Sequence, residues 1–214
     1  MATSRETAQV VVGDVGEDGV PSPVLHHVNL KTTRLAEMIE WYGVVCGMRA
    51  NFRSEMVAFL SNDAANHRIA LAGVDGLSDD PEMLSHNGMH HSAFEFKTLE
   101  HMMTRYATLK AKGILPHSCL DHGLTLSFYY MDPDGNSVEL QVDNYGDWEK
   151  STEWISTAPE FVADPIGAPV DPEQILVAMR DGADADEVHR RAYAREFPPA
   201  TPPDLRLPPS VTLP

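Results

Sequence analysis

Two stretches of this chain repeat each other at a fixed interval of 64 residues, residue 27 to residue 91 being one instance. Such a period means two copies of one supersecondary unit. Leu35, Met38, Ile39, Tyr42 and Val45 fall on Leu99, Met102, Met103, Tyr106 and Leu109. Spacing of i, i+3, i+4, i+7 marks the buried face of a helix, here predicted over Arg34 to Val45 and Leu99 to Lys112. Gly47 and Gly113 lie just beyond, where a left-handed cap costs glycine least. A strand precedes each helix, and short strand-like runs follow it. These are Met48 to Phe52, Met56 to Leu60 and Arg68 to Ala72 in the first copy, and Ile114 to Cys119, Thr125 to Met131 and Ser137 to Val142 in the second. Asp132-Pro133-Asp134-Gly135-Asn136 is a turn signal between the last two. The expected fold class is α+β: two tandem βαβββ modules, about 24–75 and 88–145, with curved mixed sheets around a shared cleft.

The same interval relates two histidine doublets, His26-His27 and His90-His91. Successive side chains on a strand face opposite ways. Val28 and Leu30 share the parity of His26, which leaves His27 on the other face with Asn29 and Lys31. Phe94 and Phe96 share the parity of His90, so His91 turns away with Ala93 and Glu95. In Ser137 to Asp143, Glu139 lies opposite Val138, Leu140 and Val142. One histidine in such a place is more often an ordinary strand residue. Three ligand-type residues in one phase, two of them at the repeat interval, favour a metal site. Two imidazoles and a carboxylate on one face of an octahedral ion leave three adjacent positions open, the facial arrangement of non-haem Fe(II) oxygenases.

At this point the chain resembles the vicinal oxygen chelate superfamily and, within it, the type I extradiol ring-cleaving dioxygenases. The resemblance covers about residues 24 to 145. Its most specific pieces are His27-Val-Asn-Leu, His91-Ser-Ala-Phe-Glu-Phe and the run from Ser127 through Asp132-Pro-Asp-Gly-Asn to Glu139, with Tyr129 and His122 upstream of Glu139. Only one module pair is present, as in the short, one-domain subgroup. The resemblance implies Fe(II), or Mn(II) as in some relatives, on His27, His91 and Glu139. It implies a catechol-type diol and O₂ as substrates, with the ring opened beside the diol. Tyr129 would hydrogen-bond a substrate oxygen, and its parity with Thr125 and Ser127 points it into the cleft. His122 would meet the substrate or a departing proton near the rim. Its gap to Tyr129 is two residues shorter than in the larger catechol enzymes. His67 resembles the histidine that stabilises bound oxygen, although its phase with Ile69 and Leu71 would as readily make it a core residue. His86, His101, His117 and His189 carry no pattern and are assigned to loops and solvent-facing helix positions.

A glyoxalase-type isomerase or lyase of the same fold commonly draws a fourth ligand, a glutamate, from the last strand of the first module. Arg68-Ile-Ala-Leu-Ala-Gly offers none. A non-catalytic sequestering protein needs no triad, and a purely structural protein would leave the in-phase ligands unexplained.

The formal net charge of −16 disfavours nucleic acid and anionic membranes as partners. No apolar run approaches the roughly 20 residues of a membrane span, and the first residues lack a secretory pattern. Cys46 and Cys119 are too few for a disulfide framework. These features point to the cytoplasm, and a homo-oligomer, dimer or higher, is expected. Residues 1–22 read as a flexible arm with a short strand at Val10 to Val12. Residues 146–214 hold most of the 16 prolines and form an extension packed on the 23–145 domain or in a subunit contact. Trp148, Trp154, Ile155 and Phe161 are too apolar for a free linker. Asp171-Pro172-Glu173 to Arg180, and Asp184 to Glu196, are predicted helices, and the last dozen residues are expected to be extended.

Overall fold

Alternating and helical periodicities resolve into the same connection pattern twice. The first copy runs β1 (Val28–Thr32), α1 (Leu35–Cys46), β2 (Arg49–Arg53), β3 (Val57–Ser61) and β4 (Ile69–Gly73). Its sheet has the order β1-β4-β3-β2, with β1 parallel to β4 and the other pairs antiparallel. The second runs β5 (His91–Phe96), α2 (Leu99–Ala111), β6 (Ser118–Asp121), β7 (Thr125–Met131) and β8 (Ser137–Asp143). Its sheet repeats the order, β5-β8-β7-β6, again with the first and fourth strands parallel. The computed structural model describes residues 19–208 and 210–211. These divide into two compact units, at Leu77 and Ser78. The strand expected at Val10–Val12 lies outside the described residues.

Each helix covers one face of its own sheet. In the first unit α1 buries Met38, Tyr42 and Val45 over the side of β3 and β4 that carries Ala58, Leu60, Ile69 and Leu71. Gly47 ends the helix in the left-handed region at φ 67°, its N–H donated to the Tyr42 carbonyl. In the second unit α2 buries Met102, Met103, Tyr106 and Leu109, and the Tyr106 ring meets Phe128 edge-on at 5.6 Å. Each fully buried side chain of this kind contributes about 1.5–3 kcal/mol relative to exposure. Thr98 starts α2 by accepting the His101 N–H. The turn between β7 and β8 is held by Asp132, whose Oδ1 accepts the N–H groups of Asp134 and Asn136.

Residues 148–207 add to the second unit what the first lacks. Helices α3 (Trp148–Thr157) and α4 (Pro159–Ala163) occupy the apolar stretch that composition marked as packed. Strand β9 (Ala168–Pro169) then pairs antiparallel with β6 and becomes a fifth strand of that sheet. Helix α5 (Pro172–Arg180) matches its predicted bounds, with Asp171 accepting the Glu173 N–H as its cap. Helix α6 (Ala185–Tyr193) stops short of Glu196, because Arg195 turns left-handed at φ 61°. Two close approaches lock this addition in place. The Trp154 indole sits where a Cβ on Gly123 would be, and the Asp121 carbonyl sits where one on Gly167 would be. Among the described residues, no helix is long and apolar enough to cross a membrane.

Candidate functional site

Strand register in the second unit aligns His91 with Ser137, Glu139 with Ala93 and Tyr129, Tyr129 with Ser118, and Ser127 with Leu120. These residues share one face of the sheet. Phe94, Phe128 and Leu140 share the other, under α2. His122 lies one residue past β6 and keeps the phase of Ser118 and Leu120. Strand parity predicts one face for His91, Glu139 and Tyr129, and His122, expected here only from the resemblance, falls on the same face.

Their side chains form one hydrogen-bonded run. His91 Nε2 lies 2.9 Å from Glu139 Oε2, Tyr129 Oη donates to Glu139 Oε1 at 3.1 Å, and His122 Nε2 stands 2.8 Å from Tyr129 Oη. Glu139 is only 4% exposed. Burial alone would raise its pKa, but the His91 and Ser127 hydrogen bonds and the nearby imidazoles outweigh burial and lower it. Tyr129 is pushed far upward, first by burial and then by the Glu139 charge, so its phenol stays protonated. His122 is shifted downward by burial, against the opposing pull of Glu139 and a hydrogen bond with the Ile166 backbone.

This donor set fits a divalent cation. A buried, ionised carboxylate needs a positive partner. The 2.9 Å between His91 Nε2 and Glu139 Oε2 is also close to the edge of an octahedron with bonds of about 2.1 Å. His91 Nδ1 points away from Glu139 and meets His90 Nδ1 at 2.8 Å.

The first unit holds a different group. His26, His27 and His67 bring ligand nitrogens within 4.8 Å of one another. His26 Nδ1 meets His27 Nδ1 at 3.1 Å, the same contact that the second doublet makes. His67 is half-buried and stacks on Phe59, 4.7 Å between ring centroids. The core placement allowed by its phase with Ile69 and Leu71 does not hold. His67 precedes a bend at Arg68, before β4 begins at Ile69, so strand alternation does not reach it. Burial and the neighbouring His27 and His26 lower its pKa. Arg68 ties the group together, with Nη1 donating to the His26 carbonyl and Nε to Asp63.

Two histidines assigned to solvent are structural members of the second unit. His117 Nδ1 contacts the Asp204 carbonyl at 2.8 Å, and its Nε2 contacts Ser137 Oγ at 3.0 Å. Burial lowers its pKa. His189 Nδ1 lies 2.9 Å from Oδ2 of the fully buried Asp121, which also accepts the Gly123 N–H. Both partners lie far off in sequence, and no local period could reveal them. His86 and His101 are exposed, as expected.

A cavity of about 240 Å³ opens beside the run, with His91, His122 and Tyr129 among its lining. Ser118 also lines it, and its hydroxyl has no hydrogen-bond partner among the described residues.

A family model described as the glyoxalase/bleomycin resistance protein/dioxygenase superfamily matches residues 24–140. Biphenyl-2,3-diol 1,2-dioxygenase 2 of Rhodococcus globerulus is 37% identical over 181 residues, covering 85% of this chain and 94% of that protein. Biphenyl-2,3-diol 1,2-dioxygenase 3 of the same organism is 37% identical over 173 residues, 81% of this chain and 90% of its own length. Among solved structures, a glyoxalase/bleomycin resistance protein/dioxygenase from Nocardioides aligns at 22% identity and a TM-score of 0.45, over 58% of this chain and 85% of that one.

Proposed function

Because the chain belongs to the glyoxalase/bleomycin resistance protein/dioxygenase superfamily, we infer from its site and its relatives that it is an extradiol dioxygenase, opening an aromatic diol beside its two hydroxyls. We propose a catechol bearing a second ring as the substrate, in line with the names of the two Rhodococcus relatives. The metal is proposed as Fe(II), with Mn(II) the alternative, on His27, His91 and Glu139. Support for this set comes from the repeat, which makes His27 and His91 equivalent, and from the pairing of His91 with Glu139. The cytoplasm and a homo-oligomeric state are proposed as well. Cys46 and Cys119 are free of disulfides, which suits a reducing compartment. Exposed Val162 and Trp148 are surface that a second copy could cover.

The observation that carries the reading is the hydrogen-bonded run from half-buried His91 through buried Glu139 and Tyr129 to half-buried His122. A metal bound there supplies Lewis acidity and a path for electrons between diol and O₂. Glu139, kept ionised, gives the site a fixed negative oxygen. Tyr129 has one proton and two neighbours able to accept it, Glu139 Oε1 and His122 Nε2. His122, kept neutral by burial, is the proton acceptor for a diol hydroxyl, reached through the Tyr129 oxygen. The reaction breaks one ring carbon–carbon bond and places both atoms of O₂ in the product, so it consumes no outside reductant. His67, in the first unit, is proposed to hydrogen-bond oxygen, on resemblance.

The test is to load the protein with Fe(II) without air, add single-ring and biaryl catechols, then admit O₂. Visible absorbance of a ring-opened product should grow. Silence across the whole panel would favour a glyoxalase-like isomerase or lyase instead.

A further inference from the structure

The cavity beside Tyr129 is closed by a piece of chain that the repeat does not contain. Residues 204–207 return from the C-terminal extension and are pinned at three places. Asp204 and His117 exchange contacts, the Asp204 N–H donating to the His117 carbonyl at 3.1 Å and the Asp204 carbonyl meeting His117 Nδ1 at 2.8 Å. The Leu205 carbonyl meets His90 Nε2 at 3.0 Å. Arg206 Nη2 donates to the Gly135 carbonyl at 3.2 Å. Arg206 is also in the left-handed region, φ 54°, which a non-glycine residue seldom keeps unless its surroundings hold it there. With the Asp204 and Leu205 carbonyls both engaged, the segment presents hydrocarbon to the cavity. Leu205 and Leu207 line it together with Ile166 and Leu120, alongside His91, His122 and Tyr129, and Asp204 of the same segment also reaches it.

We propose that Leu205, Leu207 and Ile166 form the specificity wall that receives the second ring, or another bulky apolar group, of the diol. This wall would set the preference for biaryl over bare catechols. The inference rests on the dioxygenase reading for its substrate, but not for its binding chemistry. A hydrocarbon wall facing a cluster of hydrogen-bonding groups suits a ligand that is polar at one end and apolar at the other.

The test uses the full-length protein with Leu205→Asn and Leu207→Asn, and the milder Leu205→Val and Leu207→Val in case the first pair fails to fold. Thermal unfolding checks the fold. One readout is calorimetric binding of biphenyl-2-ol, which has a single hydroxyl, set against phenol. The other is the ratio of kcat/KM for biphenyl-2,3-diol over catechol. Both should fall, by about 10- to 200-fold for the asparagine variants and by several-fold for the valines. A folded variant that matches the wild type in both readouts would overturn the proposal, as would failure of the wild type to prefer biphenyl-2-ol over phenol. If the wild type cleaves no diol yet the variants lose biphenyl-2-ol, the wall stands and the dioxygenase reading falls.

Discussion

The two units share one strand order but hold their polar side chains in opposite ways. In the first, three imidazoles cluster with no carboxylate among them, and His26 and His27 are exposed. In the second, an imidazole, a carboxylate, a phenol and a second imidazole are joined by hydrogen bonds, with Glu139 and Tyr129 buried. The second sheet gains a fifth strand from the extension, and all but the last residue of β7 are buried on both faces. The first keeps an exposed edge in β2. A duplicated fold has thus divided its labour. One copy gathers imidazoles alone, and the other keeps a carboxylate and a phenol buried where low dielectric makes their hydrogen bonds strongest.

The largest expected effect separates the two members of each doublet. His27→Ala and His91→Ala should lose bound metal and ring cleavage together. His26→Ala and His90→Ala keep the proposed ligand but remove an Nδ1 contact to it, His90→Ala also releasing the Leu205 carbonyl, and should weaken metal affinity about 10- to 100-fold. Metal content after dialysis, measured across the four variants, checks this. Equal losses within a doublet would erase the distinction drawn from strand parity.

Next comes the proton run, present in one unit alone. Tyr129→Phe should retain metal while turnover falls by about 10²- to 10⁴-fold. Single-turnover kinetics on protein with verified metal content separates this from ligand loss. The fold of the second unit provides a third contrast. Asp121 is fully buried and accepts from Gly123, Asn144 and His189, so Asp121→Ala should cost about 3–5 kcal/mol in denaturant unfolding. The smallest effect lies in the first unit. The Arg68 guanidinium, with hydrogen bonds from the Ser61 hydroxyl and the Ala65 N–H, overcomes burial to bring Asp63 down to about 2. That stability is present above the ordinary carboxylate range and fades as pH falls through about 4 toward 2. Because both side chains are substantially exposed, the Arg68 share should amount to less than about 1 kcal/mol, and Arg68→Ala should shrink the dependence to what Ser61 and Ala65 sustain.

Much of the second unit was legible because strands announce their own phase. Glu139, His91 and Tyr129 lie on regular strands, so a period of two placed these three on one face, whereas His122, just past a strand, was legible only through the family resemblance. The same rule misled at His67, which sits before its strand starts. It had nothing to offer for His117, His189 and Leu205, whose partners lie 87, 68 and 115 residues away in the chain. The helices around Trp148 and Phe161 were visible only as apolar composition. Their packing depends on Trp154 filling the space left by Gly123, a long-range fit with no repeat to expose it.

Equilibrium dialysis of Fe(II) without air against wild-type and Glu139→Ala protein asks whether the buried carboxylate holds the metal. Each wild-type chain should hold one ion and the variant none, with no ring cleavage from the variant. A variant that still holds a full ion would contradict this, and would assign the metal to the His26, His27 and His67 cluster alone.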